Sequence, residues 1–246
     1  NLPVDSSLPD VNKYPLKYAI ETIALGKDPI LEAGCGAGRV LKYFHYKGNQ
    51  IFGIDYINCA VEKLKESDSS LNVSFGDITN LNFEDENFGC IFAFGLYHGL
   101  GEDLSKGLSE THRVLVDDGY LCASFRADNI QNWITDIYNS MLNLNKNKGK
   151  KKKFHKLNLT KSEFFKLLEN HGFKPEKVYS VENMPFLYKF SIFRYKTHKK
   201  FNESLGRNEG YRLSFIGTFI QKIIMKYFSC QFCNVNVIIA KKISLK

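Results

Sequence analysis

The stretch "ILEAGCGAGRVLKYF", residues 30–44, constrains this chain more than any other. An apolar run breaks on three glycines within five positions, Gly34, Gly36 and Gly38, and an amphipathic run follows at once. Glycine accepts backbone conformations closed to other residues and has no Cβ, so such a turn lets the main chain approach a ligand closely. A strand, a glycine turn and a helix in that order open a β-α unit of a parallel sheet. The turn then lies at the carboxyl edge of the sheet, where ligands of such folds sit. The dinucleotide fingerprint G-x-G-x-x-G fails here: counted from Gly34 it needs glycine at position 39, which is Arg39. The observed spacing is E-x-G-x-G-x-G, with Glu32 in front.

The rest of the chain supplies the sheet. Tyr14–Leu25 has apolar Leu16, Ala19, Ile20 and Ile23 at helical spacing and predicts a leading helix. "QIFGID", "NVSFGD", "FGCIFAFG" and "DDGYLCASF" predict four more strands, separated by helical "NCAVEKLKE" and "DLSKGLSETHRVL", the latter with Asp103 or Ser105 as cap. This alternation argues for a parallel sheet covered on both faces. Beyond Phe125 come a helix at about 127–144, a lysine-rich loop, and "TKSEFFKLLENHGF", where Thr160 and Glu163 form a capping box and Gly172 a stop. "KPEKVYSVEN" and "FCNVNVIIAKK" read as the last two strands.

Four polar or glycine-bearing motifs end consecutive strands and so converge on one crevice: the glycine turn, Asp55, Gly76-Asp77 and "FGLYHGLG". Asp55 stands 19 positions after Gly36, where a carboxylate can accept two ribose hydroxyls. In this ordered combination the chain resembles the class I S-adenosylmethionine-dependent methyltransferases, most closely the small-molecule branch called methyltransferase type 11. The resemblance covers about residues 14–182 and the last strand. It implies an α/β, Rossmann-like sheet of seven mostly parallel strands in order 3-2-1-4-5-7-6, the last one antiparallel, with helices on both faces. It also implies an enzyme, S-adenosyl-L-methionine as cofactor with S-adenosyl-L-homocysteine as product, and no metal. Glu32 and the Gly34-Cys35-Gly36 backbone, with Gly38 and Arg39 completing the turn, would hold the methionine portion. Asp55 would take the ribose, Tyr56 would flank the adenine, and Asp77, Ile78 and the backbone near Phe94 would meet the adenine edge and the amino group. The opening glycines thereby gain a reason. A sulfonium and an amino-acid tail call for close backbone approach beside an anion such as Glu32, which would repel a phosphate.

Methyl transfer is a displacement at carbon, so alignment in a dry site supplies much of the rate. His98, just past strand four, is the candidate general base because imidazole titrates near neutrality, and Tyr97 precedes it. The alternative is that both only shape the pocket. Arg126, after strand five, is placed to grip an anionic acceptor or to stand on the surface. The chain lacks the [DNS]-P-P-[YFW] motif of enzymes acting on exocyclic base amines and the Pro-Cys pair of those acting on pyrimidine C5. An O- or N-methylated small-molecule acceptor is therefore favoured. An RNA acceptor, a lipid-linked acceptor met at a membrane surface, and a non-catalytic cofactor-binding protein are the other readings.

Composition enters through its unevenness. Residues 1–140 hold 11 Lys and Arg against 20 Asp and Glu, and residues 141–246 hold 23 against 6. That split suits an anionic partner, nucleic acid or membrane surface, or reflects Lys/Asn drift, which "NLNKNKGKKKKF" (143–154) resembles. Six scattered cysteines read mainly as buried thiols. Cys230 and Cys233 form one CxxC without a second pair to complete a zinc site. No apolar run reaches the roughly 20 residues of a membrane span. "NLPVDSSLPD" has neither a basic nor an apolar leader segment, so a cytoplasmic monomer or homodimer is expected.

A single domain over 1–246 is expected, with residues 1–26 as the leading helix and 184–229 as a cap inserted between the last two strands. Within the cap, 211–228 reads as a helix whose Ile216, Phe219, Ile220, Ile223, Ile224 and Tyr227 share one face, and burial of that face is expected. Tyr188, Arg194 and Tyr211 are the cap residues expected to border the acceptor.

Overall fold

A computed structural model describes residues 10–143, 157–196 and 211–243. Most of the lysine-rich stretch and residues 197–210 of the expected cap lie outside the described residues.

In chain order the elements are α1 (Leu16–Ile23), β1 (Ile30–Ala33), α2 (Arg39–Tyr46), β2 (Ile51–Asp55), α3 (Asn58–Ser67), β3 (Val73–Phe75) and β4 (Phe88–Ala93). There follow α4 (Leu104–Val114), β5 (Leu115–Arg126), α5 (Ile130–Asn143), α6 (Lys161–Glu169), β6 (Phe173–Val181), α7 (Phe215–Phe232) and β7 (Val235–Lys242). The strands form one sheet in the order β3-β2-β1-β4-β5-β7-β6. The pairs from β3 across to β5 are parallel, whereas β7 runs antiparallel to both β5 and β6. This is the expected Rossmann-like architecture.

β4 shows why the centre of the sheet is stable. All six of its residues are buried, as in a strand covered on both faces. Cys90 and Phe92 point into a core with Leu16, Phe44, Val61 and Leu64 from α1, α2 and α3. Ile91 and Ala93 point into the opposite core, with Leu108 of α4 and Phe164 and Leu168 of α6. The period of two thus divides one apolar run between two layers.

Local chemistry sets the helix ends. The expected capping box forms, Thr160 accepting from the Glu163 N–H while Glu163 reaches back. Asp103 precedes α4 but makes no side-chain cap. Chain order reverses between β1 and β4, so their carboxyl ends open a crevice at the topological switch point.

A third, smaller core lies largely in the segment between β6 and β7. Phe186, Leu187, Tyr188 and Leu213 are buried there, with Ile220, Ile224 and Phe232 of α7 and Ile134 of α5 packed against them. The excursion leaves β6 at Val181 and rejoins the sheet at Val235, which pairs with both Val181 and Arg126. It therefore departs from and returns to the sheet edge that carries the carboxyl end of β5.

The apolar face of α7 is not buried as expected. Ile220 and Ile224 turn inward, but Ile216, Phe219, Ile223 and Tyr227 are exposed. The inward side is fixed by Gly217 and Gln221. A Cβ on Gly217 would lie 2.7 Å from the Phe193 carbonyl oxygen. Gln221 Oε1 accepts from the Leu187 N–H at 3.0 Å, and its amide donates to Glu182 Oε2 at 3.0 Å. A close backbone approach and a buried amide in need of an acceptor decide the rotation of this helix. Its apolar residues, present on nearly every side, do not.

Candidate functional site

The glycine turn is bound to β2 by its own backbone. Gly34 N–H and Cys35 N–H both donate to the Ile54 carbonyl, at 2.8 and 3.0 Å. Gly36 N–H donates to Asp55 Oδ2 at 2.7 Å, and Ile57 N–H donates to Oδ1 at 2.9 Å. The carboxylate at the end of β2 is thereby oriented by two amides and lies against the turn. Gly36 (φ +52°) and Gly38 (φ +71°) have the left-handed backbone that favours glycine. Their surroundings differ. A Cβ on Gly38 would meet Leu64 of α3 at 2.6 Å, so that glycine serves packing. A Cβ on Gly36 would meet nothing within 4 Å, so its Cα faces open space beside Asp55.

Glu32, in the middle of β1, is buried at 5% exposure. Leu41 N–H, in the first turn of α2, donates to Glu32 Oε2 at 2.7 Å and so supplies one of the donors a helix start leaves over. Burial pushes the Glu32 carboxyl up to about 8. The Leu41 bond and the Arg39 charge pull it down, and the Asp55 charge pushes it up further. Burial and the two carboxylates also drive the Cys35 thiol far upward, so it stays protonated.

Tyr56 and Phe75, at the carboxyl ends of β2 and β3, are both more than half exposed, their rings 5.6 Å apart and tilted by 39°. The sequence reading named Tyr56 and missed Phe75, although an aromatic two residues before Asp77 was the available signal. Asp77 Oδ1 accepts from Thr79 N–H and Oγ1, both at 2.8 Å, which shapes the loop after β3. Ile78 points its side chain into the core, so only its backbone can meet a ligand.

After β4, Phe94 meets Tyr14 edge to face at 5.6 Å. Tyr14 Oη and Ser124 Oγ lie 3.0 Å apart, and Gly95 N–H donates to the same Ser124 oxygen at 2.7 Å. Tyr14 and Ser124 tie the leading segment and β5 to the β4 loop. Neither was singled out from sequence, since contacts 110 and 29 residues apart leave no local trace.

His98 and Tyr97 part company. Tyr97 is wholly buried, its hydroxyl 2.7 Å from Thr111 Oγ1 and its ionisation driven upward by burial. It packs α4 and takes no place in the crevice, contrary to its expected role beside His98. His98 is partly buried. Its ring lies 6.2 Å from that of Phe125, and its carbonyl accepts from Leu157 N–H. Arg126, exposed at the end of β5, lends its carbonyl to Leu159 N–H. Tyr188, Arg194 and Tyr211 do come together. The Arg194 guanidinium lies 4.7 Å from the Tyr188 ring, Nε donates to the Tyr188 carbonyl, and the tyrosine rings are 5.1 Å apart.

Residues 31–123, from β1 into β5, match the family model described as a methyltransferase domain. The chain carries a methyltransferase domain. Over 101 residues it is 37% identical to demethylmenaquinone methyltransferase of Bacteroides fragilis, a match covering 37% of this chain and 40% of that protein. The match thus spans less than half the length of that curated relative. Among solved structures, a SAM-dependent methyltransferase from Methanosarcina mazei superposes with a TM-score of 0.60 at 18% identity, covering 94% of this chain and 99% of that one. A SAM-dependent methyltransferase from Archaeoglobus fulgidus gives 0.58 at 19% identity, covering 94% and 93%. These two likenesses carry the fold beyond the methyltransferase domain to most of the chain.

Proposed function

We propose that this protein transfers a methyl group from S-adenosyl-L-methionine to an oxygen or nitrogen of a small-molecule acceptor. The observation that carries the reading is the Gly36–Asp55 pair: a carboxylate held by two backbone amides beside a glycine whose Cα faces open space. The donor set fits the cofactor. Asp55 offers acceptor capacity for vicinal hydroxyls, Glu32 offers a carboxyl beneath the turn that a cationic ligand would ionise, and Tyr56 and Phe75 offer flat apolar faces for a base. When bound, the cofactor supplies a methyl group made electrophilic by its sulfonium. The chain's own residues do the remainder. Gly36 gives close approach, Asp55 orients, and His98 takes the acceptor's proton.

The acceptor side is built from the cap. Tyr188, Arg194 and Tyr211 border the acceptor, and Arg126 gives a positive group for an anionic one. The name of the Bacteroides fragilis relative supports a small-molecule acceptor. The test is calorimetric titration with S-adenosyl-L-methionine and S-adenosyl-L-homocysteine. Loss of two hydrogen bonds to a charged acceptor, about 1.5–3 kcal/mol each, should weaken binding well over tenfold in Asp55→Ala. Unchanged affinity in that variant would remove the site assignment.

A further inference from the structure

The outward face of α7 is apolar where a solvated helix would be polar. Phe215 is 88% exposed, Ile216 66% and Phe219 61%, and Ile223 and Tyr227 continue the same face at four-residue steps. Ile192, 81% exposed, adjoins its start: it lies in the turn Ser191–Phe193, whose Phe193 carbonyl accepts from Ser214 N–H. Single exposed apolar side chains are ordinary, but a contiguous set of six marks a contact surface.

The charge around the patch selects what covers it. Lys222 borders the apolar face of α7 and Lys226, seven residues after Phe219, stands on it, its ammonium 5.1 Å from the Tyr227 ring, and Arg212 precedes the helix. Neither 183–196 nor 211–243 contains an Asp or Glu. A second copy of this chain is disfavoured. A two-fold interface sets a patch against itself, so the lysines would face lysines with no carboxylate from these segments between them. A surface with an apolar interior and an anionic face answers both features, with the aromatic and aliphatic side chains entering and the lysine stems reaching back to the charged layer. Among the described residues no helix is long and apolar enough to cross a membrane.

We propose that α7 is a docking helix for the surface of an anionic lipid bilayer, with Phe215, Phe219 and Ile223 inserted and Lys222 and Lys226 on the headgroups. This goes beyond the proposed methyl transfer and does not depend on it.

The test is co-sedimentation of the full chain, without cofactor, with vesicles of phosphatidylcholine alone and of phosphatidylcholine mixed with phosphatidylglycerol. The protein should sediment with the mixed vesicles, should stay in solution with the neutral ones, and should be released progressively by salt. Phe219→Ser should lower partitioning by about tenfold, and the pair Lys222→Glu with Lys226→Glu should abolish the preference for the anionic vesicles. All these side chains are exposed, so thermal unfolding of the variants should match that of the parent and exclude a folding defect. Equal binding to both vesicles, binding unaffected by Phe219→Ser, or no binding by a well-folded protein would overturn the proposal. So would a dimer in sedimentation equilibrium that Phe219→Ser converts to monomer, because the face would then belong to a second copy.

Discussion

Replacing Glu32 with Gln should make the protein more stable at neutral pH and a poorer binder of its cofactor. The buried carboxyl is raised from 4.5 to about 8, chiefly by loss of hydration. A group whose folded value lies above its unfolded value contributes most below the unfolded one, and that contribution declines as pH rises toward the folded one. At pH 7 the unfolded chain has released the Glu32 proton and the folded chain has kept it. Over the interval from 4.5 to 7, at about 1.4 kcal/mol per pH unit, the wild type loses about 3 kcal/mol. Glutamine does not titrate. Its carbonyl oxygen can still accept the Leu41 N–H, while its NH2 group lacks a matched acceptor, at a cost of about 1 kcal/mol.

Urea unfolding without ligand, repeated from pH 4 to 8.5, reads this directly as the stability difference between Glu32→Gln and wild type. The variant should be equal or slightly weaker near pH 4, should gain about 2–3 kcal/mol by pH 7, and should level off above pH 8. Binding should move the opposite way. A cationic ligand above Glu32 favours the carboxylate, so at pH 7 binding to the wild type should release about one proton more than binding to the variant. Calorimetry in buffers of different ionisation enthalpy measures that difference. A stability difference that stays flat across this range would refute the reasoning, as would a variant that weakens steadily toward pH 8.

Two further outcomes follow from the geometry. His98→Asn should lower turnover by about 10²–10⁴-fold, leave cofactor affinity nearly intact and remove one limb of the pH–rate profile; a variant that keeps most activity returns His98 to shaping the pocket. Gln221→Ala should strip the Leu187 N–H and the Glu182 carboxyl of their shared partner and cost about 1–3 kcal/mol, read as faster amide exchange in 186–193 and 215–232 with the β4 and β5 amides unchanged.

The sheet was legible because its signals are local. Strand, turn and helix follow one another within 15 residues around the glycines, and Asp55 and Asp77 close strands whose apolar runs are short and clear. What sequence could not give was rotation. Tyr97 and His98 are neighbours on a three-residue 3-10 turn, Tyr97–Gly99, where consecutive side chains point about 120° apart. Either could have faced the crevice, and the buried Thr111 hydroxyl took Tyr97. α7, which kinks at Phe228, repeats the difficulty over its whole length. With apolar residues on nearly every side its periodicity could not name a buried face, and the choice fell to Gly217 and Gln221, whose partners Phe193, Leu187 and Glu182 lie 24 to 39 residues away.

The uneven charge of the chain gains a spatial meaning from the strand order. β3, β2, β1 and β4 come from the acidic first 140 residues and form one wing of the sheet, which carries Glu32, Asp55 and Asp77 at its carboxyl edge. β7 and β6 come from the basic remainder and form the other edge, with the cap and α7 attached to them. The proposed cationic cofactor would thus meet the wing where acidic residues gather, while the opposite wing offers lysines and an uncovered apolar helix face. Compositional drift would scatter lysine wherever the chain is solvated. It has no reason to leave 211–243 without a single carboxylate while placing phenylalanine and isoleucine on the outer face of α7. If drift were nevertheless the cause, Lys222→Glu with Lys226→Glu would leave the vesicle preference untouched, so the experiment that tests the docking helix also decides how the charge split is to be read.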